Sequence, residues 1–274
     1  MKRLILSIIL TVLLAFPCHA MMSPVPMGQM TDPAVETFCK RVQDDGGTVV
    51  DHESASKLVK LIKQSGVWGN VKFLADANFA VKLNSGVSVQ TLYDLSGNNN
   101  DATQATVDKQ PVWTAGVQNG KYGMSFDGTN DFLATTPDAT IKCIFGVAKT
   151  GPVISTYHTI FNAADDSDNS NVRMETGTPT YRAIGNEAVS SDFVWDAGTV
   201  MINSAVGYTI TVEVTHLLYE DNANAQTLGS IGGAFLSRYW KGDVDFATWL
   251  DIVPSTTQRT ALDTFIGHSY YAIY

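Results

Sequence analysis

Three oxygen-bearing side chains, Asp94, Asn98 and Asp101, lie close together in the sequence and could bind a cation. Calcium in proteins takes about six to eight oxygen ligands from carboxylates, amides and backbone carbonyls. The cluster therefore makes calcium the cofactor to consider. The alternative needs no metal, because Asp and Asn also favour turns by hydrogen-bonding their own backbone and by tolerating left-handed conformations. The sequence leaves both interpretations open.

A second possible chemistry is carbohydrate binding through aromatic rings. Ligand sites combine apolar and aromatic surface with a few polar groups, and sugar rings stack on aromatic faces while their hydroxyls bind polar partners. The candidate ligand-binding residues are Trp113, Tyr239 and Trp240. The alternative is that these large aromatic side chains belong to a hydrophobic core, where most of them lie in a β-sandwich.

Glycoside hydrolysis is a third possibility, and it requires two carboxyl groups that flank the scissile bond. A Glu-x-Asp-x-x-Glu motif on one strand meets this need, because alternate residues project to the same side. No glutamate of this chain is followed by aspartate two residues later. Asp243 and Asp245 share one face of a predicted strand, but such a pair also serves to protect a sheet edge from aggregation.

Other catalytic signatures are missing from the sequence as well. It contains no Gly-x-Ser-x-Gly nucleophile motif, and no two histidines are spaced for zinc on one helix face. The segment 165–169 begins like a calcium-binding EF-hand loop but lacks the later glycine and glutamate. We therefore predict that the chain is not an enzyme.

The elements that must position these residues are organised around the stretch 93–133. Tyr122, Met124 and Phe126 alternate with small or polar residues, which is the period of a half-buried strand. Asp127-Gly128 follows as a predicted structural corner, where glycine would allow a positive φ.

Residues 31–70 predict a helical N-terminal region. Asp32 and Pro33 form a typical helix start, and Asp51 or Ser54 begins a second helix. Both helices are too short to form a core of their own. They either dock on the strands that follow or present a surface to a partner.

From residue 71 onward, short apolar runs alternate with Gly, Asn and Asp at a spacing that favours a sandwich or barrel. One further helix is predicted after Pro254, starting near Ser255. Its predicted inward face consists of Thr260, Ala261, Phe265 and Ile266.

The segments YDLSGNNNDATQ (93–104) and FDGTNDFL (126–133) resemble the laminin-G-like, concanavalin A-like superfamily. Such domains occur in secreted bacterial proteins and in phage tail or receptor-binding proteins. The resemblance implies a mainly β fold, a jelly-roll β-sandwich over residues 71–274, with two short N-terminal helices and a C-terminal helix. It also implies calcium at a sandwich rim. It does not select a ligand, because this fold hosts lectins, glycosidases and structural modules.

The charge and the N-terminus restrict partners and location. The formal net charge of −9 argues against nucleic acid and against an anionic membrane surface. Residues 1–20 have the basic start and short apolar run of a signal peptide, and 21–30 resemble a linker. Secretion, or a periplasmic or cell-surface location without stable membrane insertion, is expected. A start at Met21, Met22, Met27 or Met30 would instead allow a virion component.

Two cysteines remain after such a leader, Cys39 and Cys143. They could form one disulfide in an exported chain, or Cys143 could act as a small buried hydrophobic residue in its strand. The sequence does not decide between these alternatives.

Three functional hypotheses follow. The first is a non-catalytic recognition or adhesion module that binds a surface carbohydrate. The second is a structural phage-tail or cell-surface protein that contacts only host-surface or virion proteins. The third is a divergent glycoside hydrolase.

Overall fold

Capping residues start both N-terminal helices at the predicted positions. In the computed structural model, which describes residues 32–151, 158–162, 171–175, 181–185, 200–202, 205–206, 209–210, 215–233 and 239–274, the carboxylate of Asp32 accepts a hydrogen bond from the backbone N–H of Ala34. This bond opens α1 (Pro33–Asp44). Asp51 starts α2 (His52–Gln64) in the same way. Each helix buries an apolar stripe, which consists of Val35, Phe38, Cys39 and Val42 on α1 and of Ala55, Leu58, Val59 and Ile62 on α2.

The sequence beyond the helices forms antiparallel strands, as expected for a mainly β fold. The described residues contain the strands β1 (Thr48–Val49), β2 (Val71–Asp76), β3 (Ala80–Asn84), β4 (Ser88–Leu92), β5 (Ala102–Thr103), β6 (Val112–Gln118), β7 (Lys121–Asp127), β8 (Leu133–Thr150), β9 (His158–Asn162), β10 (Asn171–Glu175), β11 (Tyr181–Gly185), β12 (Val200–Ile202), β13 (Ala205–Val206), β14 (Thr209–Ile210), β15 (Thr215–Ile231) and β16 (Lys241–Leu250).

Strand β16 is central to the sheet. It pairs with β8 along one side, and with β7 and then β2 along the other. Strands β8 and β15 are long and pair with each other through several register shifts. Such shifts bend and twist a strand pair, which lets one continuous sheet fold around a core.

The core has two parts that lie on opposite sides of the central strands. One part is enclosed by strands alone and contains Phe73, Phe161 and Trp249. The other lies between the central strands and the helices, and contains Phe145, Phe246 and both helix stripes. The N-terminal helices therefore dock on the strands, which is the first of the two predicted alternatives.

The C-terminal helix also forms, but with a different inward face. Ser255 and Gln258 make a reciprocal capping box at the start of α3 (Thr256–Asp263). The chain continues as a wider π-helical turn, Thr264–Tyr270. Leu262, Ile266 and Tyr270 are buried at intervals of four residues, because this turn changes the helical period. Of the predicted inward residues, Ile266 is buried, Ala261 and Phe265 are partly buried, and Thr260 is exposed.

The predicted corner at Asp127-Gly128 is present. Gly128 has a φ of +80°, and a Cβ there would lie 2.7 Å from Cβ of Lys241. The carboxylate of Asp127 accepts a hydrogen bond from the backbone N–H of Thr129. Both conformation and space therefore require glycine at this corner.

Cys39 and Cys143 are both buried and are not joined in a disulfide, and Cys143 occupies a core-facing position in its strand. Among the described residues no helix is both long and apolar enough to cross a membrane. The predicted leader, the linker 21–30, the alternative starts and the segment 165–169 lie outside the described residues.

Candidate functional site

The loop that follows β4 is held together by Asp94. This residue is fully buried, and each of its carboxylate oxygens accepts two hydrogen bonds. The donors are the backbone N–H groups of Leu74, Ser96 and Asn100, and the hydroxyl of Ser96. Burial raises the pKa of Asp94, while these hydrogen bonds oppose the shift.

The other two predicted calcium ligands also serve the loop. Asp101 accepts a hydrogen bond from the backbone N–H of Asp94 and forms an ion pair with Arg41 on α1. The amide of Asn98 donates to the backbone carbonyls of Val71 and Lys72.

The carboxylates of Asp94 and Asp101 accept hydrogen bonds from the protein, and Asn98 donates through its amide, so these residues fit the turn interpretation, while calcium binding stays a prediction. No group of three or more His, Cys, Asp or Glu side chains suited to a metal occurs in the described part of the chain.

The three candidate aromatic residues have different environments. Trp240 is fully buried in the strand-enclosed core, and its indole N–H donates to the carbonyl of Asp243 at 3.3 Å. A glycan could not reach it, so we remove Trp240 from the candidate site. Tyr239 is partly exposed, and its ring centroid lies 6.4 Å from that of Phe132.

Trp113 is also partly exposed, and it stacks on Tyr122 with a centroid separation of 3.8 Å and an angle of 10° between the rings. We call Trp113 and Tyr122 the aromatic platform. Tyr122 is not among the predicted ligand-binding residues, because its alternation with Gly123 is typical of a core-facing strand position. The hairpin register could have identified it, since Trp113 pairs with Met124 and Tyr122 is the diagonal neighbour on the same face.

The turn between β2 and β3 fixes the platform from beneath. The indole N–H of Trp113 donates to the carbonyl of Ala77 at 3.1 Å. The side chain of Asn78 bonds both backbone groups of Tyr122, since its amide donates to the carbonyl and its oxygen accepts from the N–H, each at 2.7 Å. Both rings are therefore held by this turn, through one side-chain bond and two backbone bonds.

Asp76 in turn fixes Asn78. One oxygen of its fully buried carboxylate accepts hydrogen bonds from the backbone N–H and the side-chain amide of Asn78, at 2.6 and 3.0 Å. The other accepts from the hydroxyl of Tyr271 at 2.7 Å. Burial raises the pKa of Asp76 to about 7, although all of these bonds oppose the shift.

Asp245 lies beside Asp76 and has no such support. It is fully buried, and neither carboxylate oxygen has a hydrogen-bond partner among the described residues. Asp76 pairs across the sheet with Phe246, the residue after Asp245. Burial raises the pKa of Asp245 well above its usual value, and the negative charges of Asp243 and Asp76 raise it further.

Asp243 differs from Asp245 although they share a strand. It is partly exposed, and it accepts a hydrogen bond from the hydroxyl of Ser125. The suggestion that this pair protects a sheet edge is wrong, because β16 has paired strands on both sides. The two carboxyl groups instead have contrasting environments within one strand.

Comparison with known proteins gives two solved structures. The first is domain 4 of AbnA, a GH43 extracellular arabinanase from Geobacillus stearothermophilus in complex with arabinotriose, with 10% identity, a TM-score of 0.36, and coverage of 56% of this chain and 81% of that one. The second is a mutant Trypanosoma rangeli sialidase with trans-sialidase activity, with 7% identity, a TM-score of 0.41, and coverage of 77% of this chain and 38% of that one. No family model and no curated protein sequence matches the chain.

These comparisons contradict one prediction. The arabinanase and the sialidase are enzymes, so the prediction that this chain is not an enzyme is withdrawn. That prediction depended on the absence of one carboxylate motif from one strand. Similarity at this level assigns no catalytic residue to the chain.

Proposed function

We propose that the chain is a carbohydrate-binding β-sandwich protein of the laminin-G-like type, and that its ligand stacks on the aromatic platform. The observation that carries the proposal is the pair of partly exposed, parallel rings of Trp113 and Tyr122. Rings held in place lose little conformational freedom when a ligand binds, which favours affinity.

The surroundings of the platform support a preformed site. Three hydrogen bonds from the turn at Ala77 and Asn78 hold the two platform residues. Trp113 also packs against the strand-enclosed core, so the outward face of the stack belongs to Tyr122. A net charge of −9 suits a neutral sugar better than a polyanionic one.

The experiment is a glycan array followed by titration of the best ligand with two matched variants. Tyr122→Ala removes the platform ring, and Tyr239→Ala removes the other partly exposed candidate. We expect Tyr122→Ala to weaken binding by about two- to tenfold or more, because a stacked ring contributes about 0.5–1.5 kcal/mol beyond the area that it buries. Tyr239→Ala should leave the affinity unchanged.

Two outcomes would contradict the proposal. If no glycan binds while a host-surface or virion protein does, the chain functions through protein contacts. If Tyr239→Ala abolishes binding and Tyr122→Ala does not, the site lies near Phe132 and Tyr239. The same samples should be assayed for released reducing ends, since turnover is no longer excluded.

A further inference from the structure

We propose that Asp76 and Asp245 are positioning residues that couple the geometry of the aromatic platform to pH. The proposal starts from a continuous set of hydrogen bonds. Asp76 bonds Asn78, and Asn78 bonds both backbone groups of Tyr122. A change at Asp76 therefore reaches the platform through one intervening residue.

Asp245 makes this arrangement sensitive to charge. Its two carboxylate oxygens are buried and unpartnered among the described residues, and a Cβ on Gly123, the residue after Tyr122, would lie 2.0 Å from one of them. A buried carboxylate without a hydrogen-bond donor is costly when it is ionised, so the neutral acid is the stable form here. The strand that carries Tyr122 thus lies directly against the second acid.

The charged and titratable groups around the pair do not remove this cost. Asp245 faces Asp76 on β2, Asp243 on its own strand, Lys149 on β8, and Tyr270 and Tyr271 of the C-terminal segment. Only the positive charge of Lys149 would stabilise ionised Asp245, and Lys149 pairs across the strands with Asp243.

Asp76 faces a similar set. Tyr271 donates to it from the C-terminal segment, and Lys121 of β7 favours its charge from a distance. The amino group of Lys121 lies 3.5 Å from the ring centroid of Tyr270 and 3.8 Å from a carboxylate oxygen of Asp51, so it is already engaged.

Near neutral pH the first acid of this pair ionises at Asp76, for which the pKa is about 7. Ionisation of Asp245 at higher pH then places a second negative charge beside Asp76, where no described residue donates a hydrogen bond to Asp245. Repulsion then favours separation of β2 from β16 at this point. Because the turn after β2 holds both rings, the platform loses its fixed geometry as the pH rises.

The test measures the environment of Trp113 directly, without a ligand. Tryptophan emission is recorded from pH 5 to pH 9 for the full chain and for Trp113→Phe, and the difference reports on this ring among the five tryptophans. We expect a transition above pH 7, where the second acid of the pair ionises, and Asp245→Asn should move or abolish it. Asp76→Asn should also remove it.

Asp131→Asn is the matched control. Burial raises the pKa of Asp131 to about 6, but its carboxylate accepts from the backbone N–H of Asp127 and does not touch the platform turn. The transition should persist in this variant. If Asp76→Asn does not fold, Asp245→Asn alone decides, because it removes a charge without removing any hydrogen bond of the native state.

The consequence for affinity rests on the proposed function. Between pH 5 and pH 9 the affinity for the glycan should fall by about 5- to 150-fold, the usual range for coupled sites, and Asp245→Asn should flatten this dependence. An emission transition that is identical in the wild type and Asp245→Asn would overturn the inference. A transition that behaves as expected without glycan binding would keep the inference and reject the proposed function.

Discussion

The loop after β4 and the acid pair Asp76 and Asp245 each contain a buried carboxylate, but the protein accommodates the two carboxylates in opposite ways. Asp94 is buried and its carboxylate accepts four hydrogen bonds. Asp245 is equally buried and accepts none from the described residues. The first carboxylate defines a rigid loop, because many donors converge on it. The second makes the local structure depend on pH, because only the protonated form of Asp245 is compatible with its surroundings.

Removal of Asp94 should give the largest effect. Asp94→Ala leaves the buried backbone N–H groups of Leu74 and Ser96, and the partly buried N–H of Asn100, without acceptors. Each buried group costs about 1–3 kcal/mol, so we expect a loss of at least about 2 kcal/mol in the free energy of unfolding. Urea denaturation measures it.

Asp138→Ala is the control for this substitution. Asp138 accepts hydrogen bonds from the backbone N–H and the hydroxyl of Thr140 in a solvent-exposed part of β8, where water replaces the lost acceptor. Its effect should stay within about 0.5 kcal/mol. Equal losses in the two variants would mean that Asp94 does not organise the loop.

Asp245→Asn should have the next largest effect, and only at high pH. A raised pKa means that the folded protein keeps a proton that the unfolded chain releases, so stability is full below about pH 4 and falls as the pH rises through the folded pKa. At pH 8 the variant should therefore have a higher free energy of unfolding than the wild type. At pH 4 the two should be alike.

The comparison between variant and wild type cancels other titrating groups. Burial lowers the pKa of His158, which makes stability rise with pH through the same window and would mask part of the trend in the wild type alone. A constant stability difference between pH 4 and pH 8 would show that Asp245 does not titrate as its burial requires.

The helices and the loop were predictable because their signals are local. Asp32 and Asp51 cap helices through bonds to residues two and three positions away, and Asp127-Gly128 makes its corner from adjacent residues. The stacking of Trp113 on Tyr122 depends on the register of the β6–β7 hairpin, and the burial of Trp240 depends on packing between segments that are far apart in sequence. Asp76 and Asp245 are far apart in sequence, and no local pattern indicates that β2 and β16 place them together.

Arg41 links the loop to α1, and its removal should have a moderate effect. Its guanidinium pairs with Asp101 and donates to the carbonyl of Asp94 at 2.7 Å. The side chains of Arg41 and Asp101 are partly accessible to water, so we expect Arg41→Ala to cost about 1 kcal/mol. Lys40→Ala is the control, since the ion pair of Lys40 with Asp44 is largely exposed. A larger loss from Lys40→Ala would contradict a specific role for Arg41.

Calcium should have the smallest effect, and it tests the difference between the two regions most directly. A ligand that binds only the folded protein raises stability by RT ln(1 + [L]/Kd), so a calcium site of about 10 μM affinity would add about 2.7 kcal/mol at 1 mM calcium. The carboxylate of Asp94 is already saturated with donors, and Asp101 is paired with Arg41. We therefore expect identical melting curves in calcium and in chelator. A calcium-dependent rise that Asp101→Asn abolishes would show that the loop exchanges its hydrogen bonds for metal ligands, and that its rigidity is conditional rather than built in.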